Sequence, residues 1–338
     1  MSKIYKQWIE LNNSVTGLWS ADIKYSDTQS IKDKLDELTN YYSYVIASGY
    51  FAGGYNGNYY SYIDKLLFSN ETRNTLTATL SRSVYLHSAC NSTSSGYFAG
   101  GNGGGVYYSF IDKLLFSNES QSTLTATLSK SVYWQPACNS SLAGYFAGGY
   151  NGSNYYSFID KLLFSNESRS TLAATLSQSV YCQSACNSSL AGYFAGGYNN
   201  SSSSNYQSYI DKLLFSNDSR STLSATLSRS VESQSACNSS LSGYFAGGWT
   251  GSAYQSYIDK LLFSNDSRST LAAILSQSIY YQSACNSSIS GYFTGGYNGS
   301  YKSFIDKLLF SNDSRSTLTA ILSRSVYGQS ACQSGNIL

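Results

Sequence analysis

Six aspartates, each followed by a lysine, recur along this 338-residue chain: Asp64-Lys65, Asp112-Lys113, Asp160-Lys161, Asp211-Lys212, Asp259-Lys260 and Asp306-Lys307. A carboxylate beside an ammonium group is a pairing that general acid–base chemistry can use. Here every pair stands in the same phrase, Ile-Asp-Lys-Leu-Leu-Phe-Ser-Asn. Neighbouring residues of a strand point to opposite faces, so the two groups of a pair are badly placed to act together. The expected role of the aspartate is to accept hydrogen bonds from backbone or from a neighbouring repeat. A Ser-His-Asp arrangement would have to use His87, the one histidine. Its counterparts in the other repeats are Gln135, Gln183, Gln234, Gln282 and Gln329, so it reads as an exposed local substitution and not as a base.

The seven cysteines carry no metal-site spacing, for Cys-x-x-Cys is missing and a single histidine gives little support. Cys90, Cys138, Cys186, Cys237, Cys285 and Cys332 each fall in one "(S/P)AC(N/Q)S" phrase per repeat. Equivalent positions of successive repeats lie too far apart for a disulfide, which makes buried small hydrophobes the expectation. Cys182 stands four residues before Cys186, roughly 13 Å along a strand, too far to pair with it. No metal, cofactor or catalytic residue is expected, and the chain reads as a non-enzyme.

Composition points to strands. The chain is 42% hydrophobic and 12% charged, with 33 Tyr and one Pro, and Tyr, Thr and Ser dominate over helix formers. A net charge of +2 with no basic block gives no footprint for nucleic acid or an anionic membrane. No apolar run approaches the roughly 18 residues a membrane span needs. The opening "MSKIYKQWIELNNS" has no apolar stretch behind its lysines, so synthesis without a secretory signal is expected.

Gly-Gly pairs recur about every 48 residues, from Gly53-Gly54 to Gly295-Gly296, and mark a repeat. In the unit from Ser235 four strand-like runs follow one another: "SACNSS", "GYFAGGW", "SYIDKLLFSND" and "STLAAILSQSIY". Asn265-Asp266-Ser267 suits a hairpin turn between the last two. In the fourth run Leu271, Ala273 and Leu275 alternate with Ala272 and Ile274, which predicts a strand covered on both sides. Four antiparallel strands per repeat, six times, predict an all-β, six-bladed β-propeller over residues 43–338. The repeats begin at a second strand and end at a first, so the C-terminal Cys strand is expected to close the ring. The rival for that place is "YYSYVIAS", residues 41–48.

The Tyr-Phe-Ala-Gly-Gly strand and the aspartate strand after it resemble the kelch repeat over residues 49–333, with Leu where kelch has Trp. "SNDSRSTL" is similar to the Asp box of sialidase-type propellers, with Arg or Gln in place of Gly. Both resemblances imply a fold and no activity. A sialidase would need an arginine triad from dissimilar positions, whereas Arg169, Arg220, Arg268 and Arg315 repeat in register.

Residues 1–42 share nothing with the repeat. "TQSIKDKLDEL" predicts a short amphipathic helix with Ile31, Leu35 and Leu38 as its apolar stripe. Too small to hold a core alone, this strand-helix module must pack on the propeller, on copies of itself or on another protein. "DIKYSDTQSIKDKLDEL" resembles the junction segments of bacteriophage tail and head fibres. That resemblance implies an attachment module, other virion proteins as partners and a virion location.

The repeats differ mainly in two places: after Gly-Gly, where the lengths change, and just before the Cys phrase. In a four-stranded antiparallel blade both connections emerge at one end. The variable face therefore carries Tyr55, Asn56, Tyr107, Trp134, Tyr150, Asn151, Tyr198, Trp249, Tyr281 and Tyr297 as candidate ligand-binding residues. Tyr, Trp, Asn and Ser make adaptable recognition surfaces, suited to stacking on sugar rings and bonding their hydroxyls. The reading is a phage fibre, tail or capsid-decoration protein that binds a host-surface glycan or protein. The alternative is a cellular kelch-like scaffold.

Overall fold

The computed structural model describes residues 47–199 and 205–335. The expectations for residues 1–42, the helix with Ile31, Leu35 and Leu38 among them, lie outside the described residues. Six four-stranded antiparallel sheets follow one another around an axis, forming a six-bladed β-propeller. Blade 1 holds residues 48–79, and blades 2 to 6 hold 88–123, 137–171, 184–222, 235–270 and 283–317. Ser330–Gln333 completes blade 1 by pairing antiparallel with Ser48–Ala52, Cys332 opposite Tyr50. The C-terminal strand thus closes the ring.

Blade 5 shows the register that all share. From the axis outward it runs Ser235–Asn238, Ser242–Ala246, Ile258–Leu262 and Ser267–Thr270. One cross-strand row is Cys237, Tyr244, Lys260 and Ser269; the next is Ala236, Phe245, Asp259 and Thr270. Since successive residues face opposite sides, each blade offers a Cys-Tyr-Lys face to one neighbour and a Phe-Asp face to the other. The core is accordingly six slabs between blades, such as Tyr244, Ile258 and Ile279 against Phe293 and Leu308.

Each slab is keyed the same way. Tyr244 stacks on Phe310 of blade 6 with centroids 5.0 Å apart, and Lys260 Nζ reaches Asp313 at 2.7 Å. The cysteine Sγ enters the notch left by a glycine on the next blade. At Gly49 an added Cβ would lie 2.5 Å from Cys285 Sγ, and the Cys138 thiol occupies the same notch at Gly192. All seven cysteines are free and buried. On the opposite face Asp259, fully buried, accepts from Thr270 Oγ1 at 2.6 Å and from the Ser228 amide at 2.7 Å. The paired Asp and Lys therefore serve two different interblade contacts.

The fourth strand departs from expectation. It is the short "SRST" and its equivalents, and only Thr72–Thr79 of blade 1 runs further. In the apolar run beyond it, Leu275 is buried while Ile274 is 49% exposed, so both sides are not covered. Blades diverge with radius, and the outermost segment loses its neighbour on one side. The expected Asx turn is present: the Ser267 amide and hydroxyl both donate to Asn265 Oδ1, at 3.1 and 2.8 Å.

Two belts tie the innermost strands. Backbone amides pass from blade to blade onto asparagine oxygens, as Asn91 to Asn139 at 3.3 Å and Asn238 to Asn286 at 3.3 Å. Nearer the variable end, six backbone hydrogen bonds form a closed ring: Leu86 to Gly328, Trp134 to Leu86, Cys182 to Trp134, Ser233 to Cys182, Tyr281 to Ser233, and Gly328 to Tyr281. All six residues have positive φ, from 55° to 67°.

The cysteine notch yields a test. Gly192→Ala should cost about 1–3 kcal/mol by overpacking against Cys138. The next nearest side-chain atoms, on Phe215, are 3.4 and 3.5 Å away, so adding Cys138→Ala should recover stability. Denaturant melts of the two single variants and the double variant should be clearly non-additive; additive losses would refute the keying.

Candidate binding face and axial cavity

The second strand leaves each blade at the Gly-Gly pair. Gly148 has φ 63°, and a Cβ there would stand 2.8 Å from the Val180 carbonyl oxygen, so this bend admits glycine alone. The chain beyond it turns back on itself. Tyr150 consequently bridges to Tyr155 on one side and to Tyr133, just ahead of the Cys strand, on the other. The same triple recurs in every blade: Tyr59-Tyr55-Tyr327, Tyr107-Asn102-Tyr85, Tyr206-Tyr198-Tyr181, Tyr254-Trp249-Glu232 and Tyr301-Tyr297-Tyr280. Among these positions only Asn102 and Glu232 are not aromatic.

The rings pave one end of the disk. Tyr107 stacks on Tyr133 at 4.9 Å, Tyr150 on Tyr155 at 4.8 Å, and Tyr55 joins Tyr59, Tyr85, Tyr301 and Tyr327 across a blade boundary. Most are half-buried, with one edge or face left to solvent. Burial pushes the phenols of Tyr85 and Tyr280 up to about 12, helped by neighbouring phenols, so both remain neutral donors at physiological pH.

All ten candidate residues stand at this end of the disk, as the loop argument requires, yet they divide into three groups. Tyr55, Tyr107, Tyr150, Tyr198, Trp249 and Tyr297 belong to the paved collar. Asn56 and Asn151 brace their loops: Asn56 Nδ2 donates to the Ser325 carbonyl and Asn56 Oδ1 accepts from Tyr60 Oη, while Asn151 Nδ2 donates to Tyr156 Oη. Trp134 and Tyr281 come from opposite blades and meet over the axis, nearly parallel at 8° with centroids 6.1 Å apart.

Comparison with known protein families and with curated proteins finds no match to this chain. The fold alone classifies it as a six-bladed propeller.

Trp134 and Tyr281 also line an axial cavity of about 120 Å³. Each blade contributes one residue of the backbone belt and the Gln or His after it. His87 is therefore buried, 5% exposed, and not the exposed substitution expected. The glutamine column faces the axis, and a histidine placed in it shares that burial. Both its ring nitrogens lack hydrogen-bond partners, and burial drives its pKa down to about 3, leaving the ring neutral. Among the described residues no three His, Cys, Asp or Glu side chains converge as a metal site.

Sequence reasoning passed over Glu232 and the second layer of tyrosines. The signal was available: "SVYLH", "SVYWQ", "SVYCQ", "SVESQ", "SIYYQ" and "SVYGQ" align with one Glu among five Tyr. Glu232 is 8% exposed, its Oε2 has no partner, and burial raises its pKa from 4.5 to about 7.

Two measurements follow. The folded chain holds the Glu232 proton to higher pH than the unfolded chain does. The stability of its neutral form is thus full below pH 4.5 and is lost as pH rises through about 7. The loss should reach about 3 kcal/mol and vanish in Glu232→Gln, read by urea melts across that range. His87→Gln should raise stability by about 1 kcal/mol, because Gln135 at the equivalent place donates to the Gly148 carbonyl at 3.3 Å.

Proposed function

We propose that this protein is a non-enzymatic structural and adhesion component of a bacteriophage particle. Residues 1–42 attach it to other virion proteins, and the propeller presents its tyrosine-paved face to a host-surface glycan or protein. The observation that carries the binding half is a coincidence: the loops that vary among repeats and the half-buried aromatic collar occupy the same end of the disk. The particle half rests on the resemblance of "DIKYSDTQSIKDKLDEL" to fibre junction segments.

The physical logic favours a flat, hydroxyl-bearing ligand. Tyrosine offers an apolar ring for stacking and a neutral hydroxyl that donates and accepts, at low entropic cost. Neighbouring rings already hold one another, so little order is lost on binding. Six related subsites around one disk also suit repeated ligands, where linked weak contacts multiply.

A glycan array with the full chain tests the binding half. Trp249→Ala and Tyr150→Ala should each weaken binding roughly ten-fold through loss of a stacked ring. Leu190→Ala, on a constant turn and 74% exposed, should leave binding unchanged. Equal loss in all three variants would refute the face. Turnover of any bound glycan would overturn the non-enzymatic reading. Immunogold labelling of purified particles checks the setting, with labelled fibres, tails or capsids expected.

A further inference from the structure

Glu232 stands apart from the glycan reading, which makes no use of it. Among the described residues every other carboxylate has a partner. Strand aspartates such as Asp64 and Asp160 accept from a threonine hydroxyl and a neighbouring backbone amide, and turn acids such as Glu119 and Asp266 pair with lysines. Glu232 Oε2 has none. The described titratable groups on which its charge acts include Tyr155, Tyr181, Cys182, Tyr206, Tyr280 and Tyr281, and none of these is cationic. The propeller buries this negative charge with nothing of its own to balance it, a costly arrangement.

The surroundings specify what would balance it. Cys182, Ser233 and Tyr281 line the axial cavity; Glu232 does not line it itself, but it precedes Ser233 in the chain and its charge acts on both Cys182 and Tyr281. Among the unpartnered groups of that cavity Trp134 Nε1, Gln282 Nε2 and Ser233 Oγ can donate, and the glutamine oxygens accept. Gln135, Gln234 and Gln329 commit Nε2 to Gly148 O, Ala195 O and Tyr62 Oη, leaving each Oε1 buried without a partner. Trp134 and Tyr281 add aromatic faces, and among the described residues no Lys or Arg lines the space. Carboxylate, carbonyl-type oxygens and π faces together attract a cation that also has an apolar surface. We propose that the mouth of the axial cavity binds an organic ammonium group, with Glu232 as counter-ion, glutamine oxygens as acceptors and Trp134 and Tyr281 as aromatic walls.

An about 120 Å³ space admits several waters or the head of a small amine. A bound cation favours the ionised carboxylate, so binding releases a proton and strengthens as pH rises through about 7. His87 does not oppose it, being neutral there.

Isothermal titration of the full chain at about pH 8, where Glu232 is ionised, tests the site with choline and with ethanolamine. The control is the uncharged isostere of choline, in which carbon replaces the quaternary nitrogen. At least one amine should bind and the isostere should not. Glu232→Gln should weaken binding roughly ten-fold or more. Glu232→Tyr, the residue of five other blades, should abolish it while thermal melts show an intact fold. The proposal is overturned if neither amine binds, if the isostere binds equally, if Glu232→Gln leaves affinity unchanged, or if sodium or calcium chloride alone occupies the site. Glycan binding by Glu232→Gln should stay at the parent level, so the two readings fail separately.

Discussion

A hydrogen in place of a methyl group governs how one blade meets the next. The glycine after the turn on each second strand leaves a notch, and the cysteine of the preceding blade fills it. With the thiol seated, the tyrosine beside it on the same row falls onto the phenylalanine of the neighbouring blade, at 4.9 to 5.1 Å in all six interfaces. Close packing tolerates little variation in such a contact. Identical contacts impose an identical angle between blades, and six of them close the circle.

Closure has consequences at the axis. The belt of backbone hydrogen bonds forces one residue per blade into the left-handed region, which ordinary side chains adopt reluctantly. Only one of the six, Gly328, is glycine. The other five point side chains of unrelated chemistry at the cavity mouth. The scaffold repeats strictly, but here the sequence is free to differ from blade to blade. Trp134, Cys182 and Tyr281 exploit that freedom, as do His87 and Glu232 beside them.

The variable face depends on the same rigidity. Loops of different length return to the same tyrosine positions because the Gly-Gly bend and the strand before the cysteine are constant. Ring against ring, the tyrosines form a continuous surface on fixed supports. Exposure is shared among many half-buried rings, which limits the cost of displaying aromatic residues to water.

Much of this was legible in the sequence. The repeat, the six blades, closure by "SACQ" and the common end of the variable loops all follow from counting strands and turns, because β-structure is written in local alternation and turn chemistry. The scaffold role of the aspartate was legible too, since adjacent strand residues face opposite ways. The short outer strand was not: "STLAAIL" alternates like a strand, and only the widening gap between blades denies it a ladder. Nor was the burial of His87. Whether a residue near a strand start faces solvent or the axis depends on how blades converge, which no local pattern records. The sequence by itself determined the blade and the number of blades. The tertiary structure alone decided what meets at the centre, because residues of opposite blades, Trp134 and Tyr281 among them, become neighbours only when the ring closes.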